Sequence, residues 1–236
     1  MEKIIFALWR RSGETTKGFN LRLREQVAPE LEELTAAIRL NLCDEHVSNG
    51  NSPRMASQQP QMDAVIQIWL DSVHDKCRVP VEDLLEKSAF RIAAWLVCES
   101  TVLPNTIHPP KSGQRTEGFS QLAFLGKPPR LNWQSWRDIW QRDHTDVAIK
   151  TQSTFEYVQN LVVRPLSYNA PNCAAVVEEC FPIDALNDQS VYFDARENND
   201  RLVKNQQRMA ESCARFIDFD RIDCIPTSQY EIKTVR

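Results

Sequence analysis

At a constant spacing of 117 residues, two stretches of this 236-residue chain carry the same apolar pattern. Phe19, Leu23 and Val27 line up with Trp136, Trp140 and His144, and the run that follows lines up too, with Ile38, Leu40 and Leu42 meeting Phe155, Tyr157 and Gln159. Because the spacing is close to half the length, the pattern reads as a duplicated module. One copy holds a histidine where the other holds a valine. That asymmetry predicts that the second copy kept chemistry and the first kept only packing, so half of the molecule is scaffold.

Each copy has its own ordered run of elements. In the first, Lys3 to Arg10 is rich in Ile, Phe, Leu and Trp and predicts a buried strand. Phe19, Leu23, Val27 and Leu31 then recur at helical spacing between Lys17 and Glu33, with Pro29 set to kink or end that helix. Strands are predicted over Ala36 to Cys43 and Ala64 to Leu70. The stretch between them, Asp44 to Met62, holds Asn49, Gly50, Asn51, Pro53 and Pro60 and reads as a flexible, lid-like loop. A helix opening at Pro80 and running to Glu99, then a short extended piece near Thr101 to Ile107, complete the copy. Pro109, Pro110 and Gly113 read as a linker between repeats at 1–108 and 118–236. The second copy predicts a strand at Phe119–Leu125, a helix at Asn132–Ile149, strands at Thr154–Pro165 and Ala174–Phe181, a helix at Asn199–Phe216 and a last strand near Arg221–Ile225.

Strand, helix, strand, strand, helix, strand is the split arrangement in which two helices cover one face of a four-stranded antiparallel sheet. The uncovered face of each sheet would carry apolar or aromatic residues, and two such faces can bury each other. The fold class expected is therefore α+β, two ferredoxin-like βαββαβ repeats forming one barrel-like core within a single chain, with edges hidden that would otherwise invite aggregation.

Composition excludes several functions. A formal net charge of −4, with Lys and Arg scattered along the chain, leaves no footprint for a phosphate backbone, so nucleic acid is not an expected partner. The apolar run Ile4 to Trp9 is shorter than a signal-peptide core and far shorter than a membrane span, so no membrane partner is expected and the predicted location is cytoplasmic. The seven cysteines include no C-x-x-C pair, which argues against disulfides and zinc knuckles. His46, His74 and His108 lack metal-ligand spacing, and no metal is expected. With six glycines there is no dinucleotide fingerprint or phosphate loop, and no Gly-x-Ser-x-Gly elbow occurs either. Arg10 and Arg11, at the end of the first strand, could hold a substrate carboxylate or serve as surface charge.

Trp136 and Trp140 followed by His144 on a helix, and then Tyr157-Val158-Gln159-Asn160 on a strand, resemble the signature of EthD-domain proteins of the dimeric α+β barrel group. Such proteins often carry a proline two positions after the histidine. Here that place is Asp146, while the first copy has Pro29 at its matching place. The resemblance covers roughly Phe119 to Val163. It implies a compact barrel with a small-molecule pocket, and a range of activities in related barrels: cofactor-free lyases, cyclases, isomerases and oxygenases.

The residues alone also point to a site. Trp133, Trp136, Trp140, His144 and Val147 trace one helical face, so the imidazole should point toward the sheet, where Tyr157 and Gln159 share the helix-facing side of their strand. His144 is the candidate general acid or base and Tyr157 a donor to a developing oxyanion. Trp136, Trp140, Gln159, Asn160 and, in the first copy, Trp69 are the candidate substrate contacts. A core histidine tied to a neighbouring carbonyl, with the tryptophans as packing, is the competing account. The function expected is a cofactor-independent lyase or isomerase acting on a hydrophobic, oxygenated aromatic or polycyclic small molecule. The alternatives are an oxygenase, cofactor-free or binding haem through His144, and a non-catalytic carrier. A homodimer of such chains is left open.

Overall fold

The computed structural model describes residues 1–50 and 54–234. The first half runs β1 (Glu2–Trp9), a helix over 16–34, β2 (Ala37–Leu42), β3 (Ala64–Leu70), the helix Asp75–Ser88 and β4 (Arg91–Leu103). After the two-residue strand β5 (Gln114–Arg115), the second half repeats the order with β6 (Phe119–Leu125), a helix over 133–151, β7 (Glu156–Pro165), β8 (Ala175–Phe181), the helix Asn199–Phe216 and β9 (Ile222–Lys233). Strand order is the same in both, β2-β3-β1-β4 and β7-β8-β6-β9, and every pairing is antiparallel. The halves join twice, β4 to β7 and β2 to β9, which closes an eight-stranded antiparallel barrel.

Three expectations need correction. Pro80 does not open a helix: it lies inside Asp75–Ser88, and Ala89 to Glu99, expected to continue that helix, lies instead almost wholly in β4. His74 caps the true start, its side chain accepting from the Lys76 N–H at 3.2 Å. The strand wins because Ile92, Ala94 and Leu96 face the helices while Ala93, Trp95 and Val97 face the barrel, so the run is buried on both sides and its helical spacing is incidental. The last strand is also far longer than expected, because its second half pairs with β2 and closes the barrel.

Pro29 neither ends nor breaks its helix. Leu23–Val27 forms a π-helical turn in which the Ala28 N–H reaches the Leu23 carbonyl, and Pro29, which has no N–H to offer, follows that shift in the ladder. A π-helical turn, Asp138–His144, stands at the matching place in the second half, where the Thr145 N–H reaches the Trp140 carbonyl. No proline is present there, so proline is not what makes the turn.

Strand pairing also refines the repeat. Ile38 pairs with Ile68, and Ile68 matches Glu179 because Ile4 and Gln121 are their respective partners on β1 and β6. Tyr157 pairs with Glu179, so Tyr157 matches Ile38, and Gln159 matches Leu40. The strand is displaced by two residues from the spacing that holds along the helix. An even displacement keeps every side chain on its face.

The long loop is partly ordered along the sheet. Met55 exchanges backbone hydrogen bonds with Cys224 at 3.0 and 2.8 Å, which continues the edge of β9 beyond the end of β2. Asn51 and Pro53 lie outside the described residues. At the entry to β6, Gly118 has φ +92°, and a Cβ there would meet the Phe181 carbonyl oxygen at 2.2 Å, so only glycine fits.

Candidate functional site

The barrel interior is apolar at one end only. Ile5, Ala7, Trp9, Val65, Trp95, Leu122, Phe124, Val176 and Ile225 form a packed plug there. Beyond it lies a buried polar network that was not expected on faces thought to be apolar. Glu178 is its centre: one carboxylate oxygen accepts from Asn41 (2.7 Å), Ser120 (2.9 Å) and Gln229 (2.9 Å), the other from Gln67 (2.8 Å) and Arg39 (3.1 Å). The Arg39 guanidinium also binds Glu156 and Glu231. Burial alone would raise the Glu178 pKa, but Arg39 and the amide donors hold it well below the usual carboxylate range. These contacts cross between halves, so the network locks the two sheets together.

Outside the barrel, between sheet and helices, the second half holds the predicted constellation. His144, Tyr157, Trp136, Trp140 and Gln159 share this layer, as their spacing requires. His144 Nδ1 lies 2.9 Å from the Ser212 hydroxyl, and its ring meets Phe216 with centroids 4.6 Å apart. Desolvation lowers its pKa to about 4. The imidazole is therefore neutral at physiological pH and does not titrate in the ordinary histidine range. Trp136 and Trp140 pack as a tilted pair with centroids 5.0 Å apart, and the Trp136 indole N–H donates to the Phe216 carbonyl at 3.0 Å, tying this helix to the end of Asn199–Phe216. The Trp140 N–H approaches the Tyr157 hydroxyl without reaching a hydrogen bond to any partner.

Gln159 is tied to the π-helical turn. Its amide donates to the Thr145 hydroxyl at 2.7 Å, and that hydroxyl donates to the Trp140 carbonyl at 3.2 Å. Tyr157 is fully buried, and desolvation together with the nearby Glu179 carboxylate raises its pKa, so it remains a neutral O–H donor.

Two predicted contacts fall elsewhere. Asn160 alternates to the barrel side of β7, where its amide donates to the Val176 carbonyl at 3.1 Å. Trp69 lies in the first half, on the barrel face, with the Lys3 ammonium 4.6 Å from its ring centroid. Neither adjoins His144.

Sequence reasoning passed over Glu179. It stands beside Tyr157 and Gln121 on the helix-facing side of β8, one carboxylate oxygen is buried without a partner, and desolvation raises its pKa to about 7. A signal was available: Glu178 and Glu179 are adjacent in the middle of the apolar strand AVVEECF. Alternation must send one carboxylate into the barrel and the other under the helices. Burial pushes the nearby Cys213 and Cys224 thiols up to about 12, so neither offers a thiolate. The cavities described for the molecule, of which the largest is about 780 Å³ beside Phe90 and Tyr168, are not lined by His144, Tyr157 or Glu179. His144 holds Ser212 at Nδ1 and packs against Phe216 at a tilt of 52°, and none of the cavities described opens beside its ring to take a haem.

No family model matches the chain, and no curated protein matches it. Among solved structures it is similar to an anthrone oxidase-like protein (TM-score 0.51, 5% identity, covering 100% of this chain and 94% of that one). It is also similar to a monooxygenase candidate from Fusobacterium nucleatum subsp. nucleatum (TM-score 0.50, 8% identity, covering 98% and 92%). At such identities the likeness is one of fold, the dimeric α+β barrel type.

Proposed function

We propose that the chain is a cofactor-independent oxygenase for a small, hydrophobic, oxygenated aromatic compound, worked by the polar layer under the helices of the second half, which has to open between the sheet and those helices to admit it. The observation that carries this reading is the partnerless Glu179 carboxylate oxygen, on the residue paired with Tyr157 across the strands, in a layer whose counterpart in the first half is apolar. The names of the two similar structures, an anthrone oxidase-like protein and a monooxygenase candidate, support an oxygenase over a lyase. The EthD-like residues around His144 support the same family of barrels, and the matching strand orders support a tandem of two ferredoxin-like repeats, 1–108 and 118–236.

Glu179, with its pKa near neutrality, is the base that removes a proton from a carbon flanked by aromatic rings and acidified through a ring carbonyl. Tyr157 donates to the enolate oxygen that develops. The resulting carbanion reduces O2 and forms a C–O bond as the hydroperoxide. Loss of water from that species, with cleavage of its O–O bond and departure of the second C–H proton, gives the ketone. One methylene group and one O2 thus become one ketone carbonyl and one water, and no outside reductant is needed. His144, neutral and held by Ser212, positions the aromatic wall and is not the base.

Oxygen uptake with anthrone as substrate tests the reading. One O2 consumed per ketone formed is expected, with a rate that rises with pH through about 7 as Glu179 loses its proton. Glu179→Gln should lower kcat about 100-fold or more with the fold intact. Turnover that is insensitive to this substitution would overturn the assignment. Isomerised or dehydrated product without O2 uptake would favour the lyase or isomerase reading, which uses the same proton abstraction.

A further inference from the structure

The mouth of the barrel next to the apolar plug holds a second, separate feature. A cavity of about 240 Å³ opens there, with Met62, Trp95 and Phe124 as its floor. These walls offer a ligand no polar group. The Trp95 indole N–H is already given to the Pro171 carbonyl at 3.2 Å, and its ring packs on Phe124 at 5.6 Å. The Cys173 thiol at the side donates to the Ala175 carbonyl at 3.1 Å and is pushed by burial to about 12, so it is no nucleophile.

Ser57, Gln58, Asn172 and Asp220 also line the cavity, but of its acidic and amide groups only Asp223 is buried. It lines the cavity from β9, opposite Phe124, and only 6% of it is exposed. One of its oxygens accepts from the Ser57 hydroxyl at 2.6 Å, while the other, Oδ1, is buried with no partner at all. Arg221 at the rim does not neutralise it, because that guanidinium is committed to Asp218 at 2.7 Å and to the Lys127 carbonyl at 3.0 Å. A buried carboxylate oxygen left without a donor is unfavourable until a donor arrives, and Asp220 adds a second acidic group to the rim.

We infer that this barrel mouth is a binding site for a small cation built on one aromatic ring, its ammonium or amidinium donating to the Asp223 carboxylate and its ring lying on Met62, Trp95 and Phe124. Size supports a single ring, since sites for drug-sized ligands begin at about 300 Å³. Barrel mouths are a recurrent place for such sites. The site is independent of the oxygenase reading, because Asp223 faces the barrel and Glu179 faces the helices.

Benzamidine, titrated into the full-length protein and followed by the Trp95 indole N–H resonance in a proton–nitrogen spectrum, tests the proposal. Trp95→Phe identifies that resonance. Saturable shifts below millimolar concentration are expected, with neutral benzamide at least ten-fold weaker and benzoate without effect. Asp223→Asn should weaken benzamidine at least ten-fold. If that variant does not fold, Met62→Phe, which narrows the floor and keeps the carboxylate, should do the same. Absence of binding up to about 10 mM, equal affinity in the variants, or a preference for benzoate would overturn the proposal. Anthrone oxidation plays no part in the readout.

Discussion

In the first half the layer between helices and sheet is apolar: Ile4, Ile38, Leu40 and Ile68 on the strands meet Phe19, Leu23 and Val27 on the helix. The matching places in the second half hold Gln121, Tyr157, Gln159 and Glu179 on the strands and His144 at the place of Val27. Strand order is the same, and both first helices carry the π-helical turn. Because the turn forms over valine as readily as over histidine, it belongs to the frame, and the polarity of the second layer is a choice of side chains laid on that frame. Such turns are frequent at functional sites, yet here the one in the first half has only packing around it.

The largest expected effect comes from cutting what the halves share. Arg39→Met leaves Glu156, Glu178 and Glu231 without their cation and should cost about 3–5 kcal/mol of stability. Urea denaturation followed by far-UV circular dichroism would show it as a lower midpoint in a single transition. Two separated transitions in the unaltered protein would show that the halves unfold independently and that the network does not lock them.

Exchanging residues between the layers gives a smaller and asymmetric effect. Leu40→Gln places an amide among Ile38, Ile66 and Leu23 and should cost about 2–4 kcal/mol. The reciprocal Gln159→Leu removes one hydrogen bond to Thr145 and should cost about 1 kcal/mol. Equal costs in thermal or urea unfolding would mean that the second layer is not adapted to polar residues.

The smallest net effect, because its two parts oppose each other, is a pair of pH slopes that the first half cannot produce. Glu179 has a folded pKa near 7, above its ordinary 4.5, so the folded state holds its proton longer and stability falls as pH rises from about 4.5 through about 7. His144 has a folded pKa near 4, below its ordinary 6.5, so the unfolded state binds the proton first and stability falls as pH drops from about 6.5 to about 4. The two windows overlap and largely cancel in the unaltered protein, so urea midpoints at about pH 5 and about pH 7.5 resolve them through the variants. Glu179→Gln should remove the loss on the alkaline side of that interval and His144→Phe the loss on the acid side. Unchanged slopes in both variants would place these side chains in water rather than under the helices.

How much of this could be read from the chain follows from what each residue touches. Phe119–Leu125, Ala64–Leu70 and Asn199–Phe216 stand where their periodicity put them, because alternation and helical spacing report which faces are buried. Ala89 to Glu99 misled because a strand buried on both faces has no alternation to show, and the Pro80 rule for helix starts supplied the wrong boundary. His144, Tyr157 and Gln159 could be brought together by face alone. Asn160 could not join them, since its neighbour's face excludes it. Arg39, Gln67, Glu178 and Gln229 meet only when the sheet closes, and no local pattern announces a partner far away in the chain.

The closure of the barrel also sets an order for its assembly during synthesis. The edge of β2 is finished early, but its partner spans Ser228 to Lys233, which leave the ribosome far later. Until they emerge, Arg39 has Glu156 and Glu178 to hold but not Glu231, and Asn41 lacks the neighbouring Thr227 and the Gln229 that shares its carboxylate. The nascent chain therefore waits with an open seam and an incompletely paired charge, and β9 acts as the clasp that completes both.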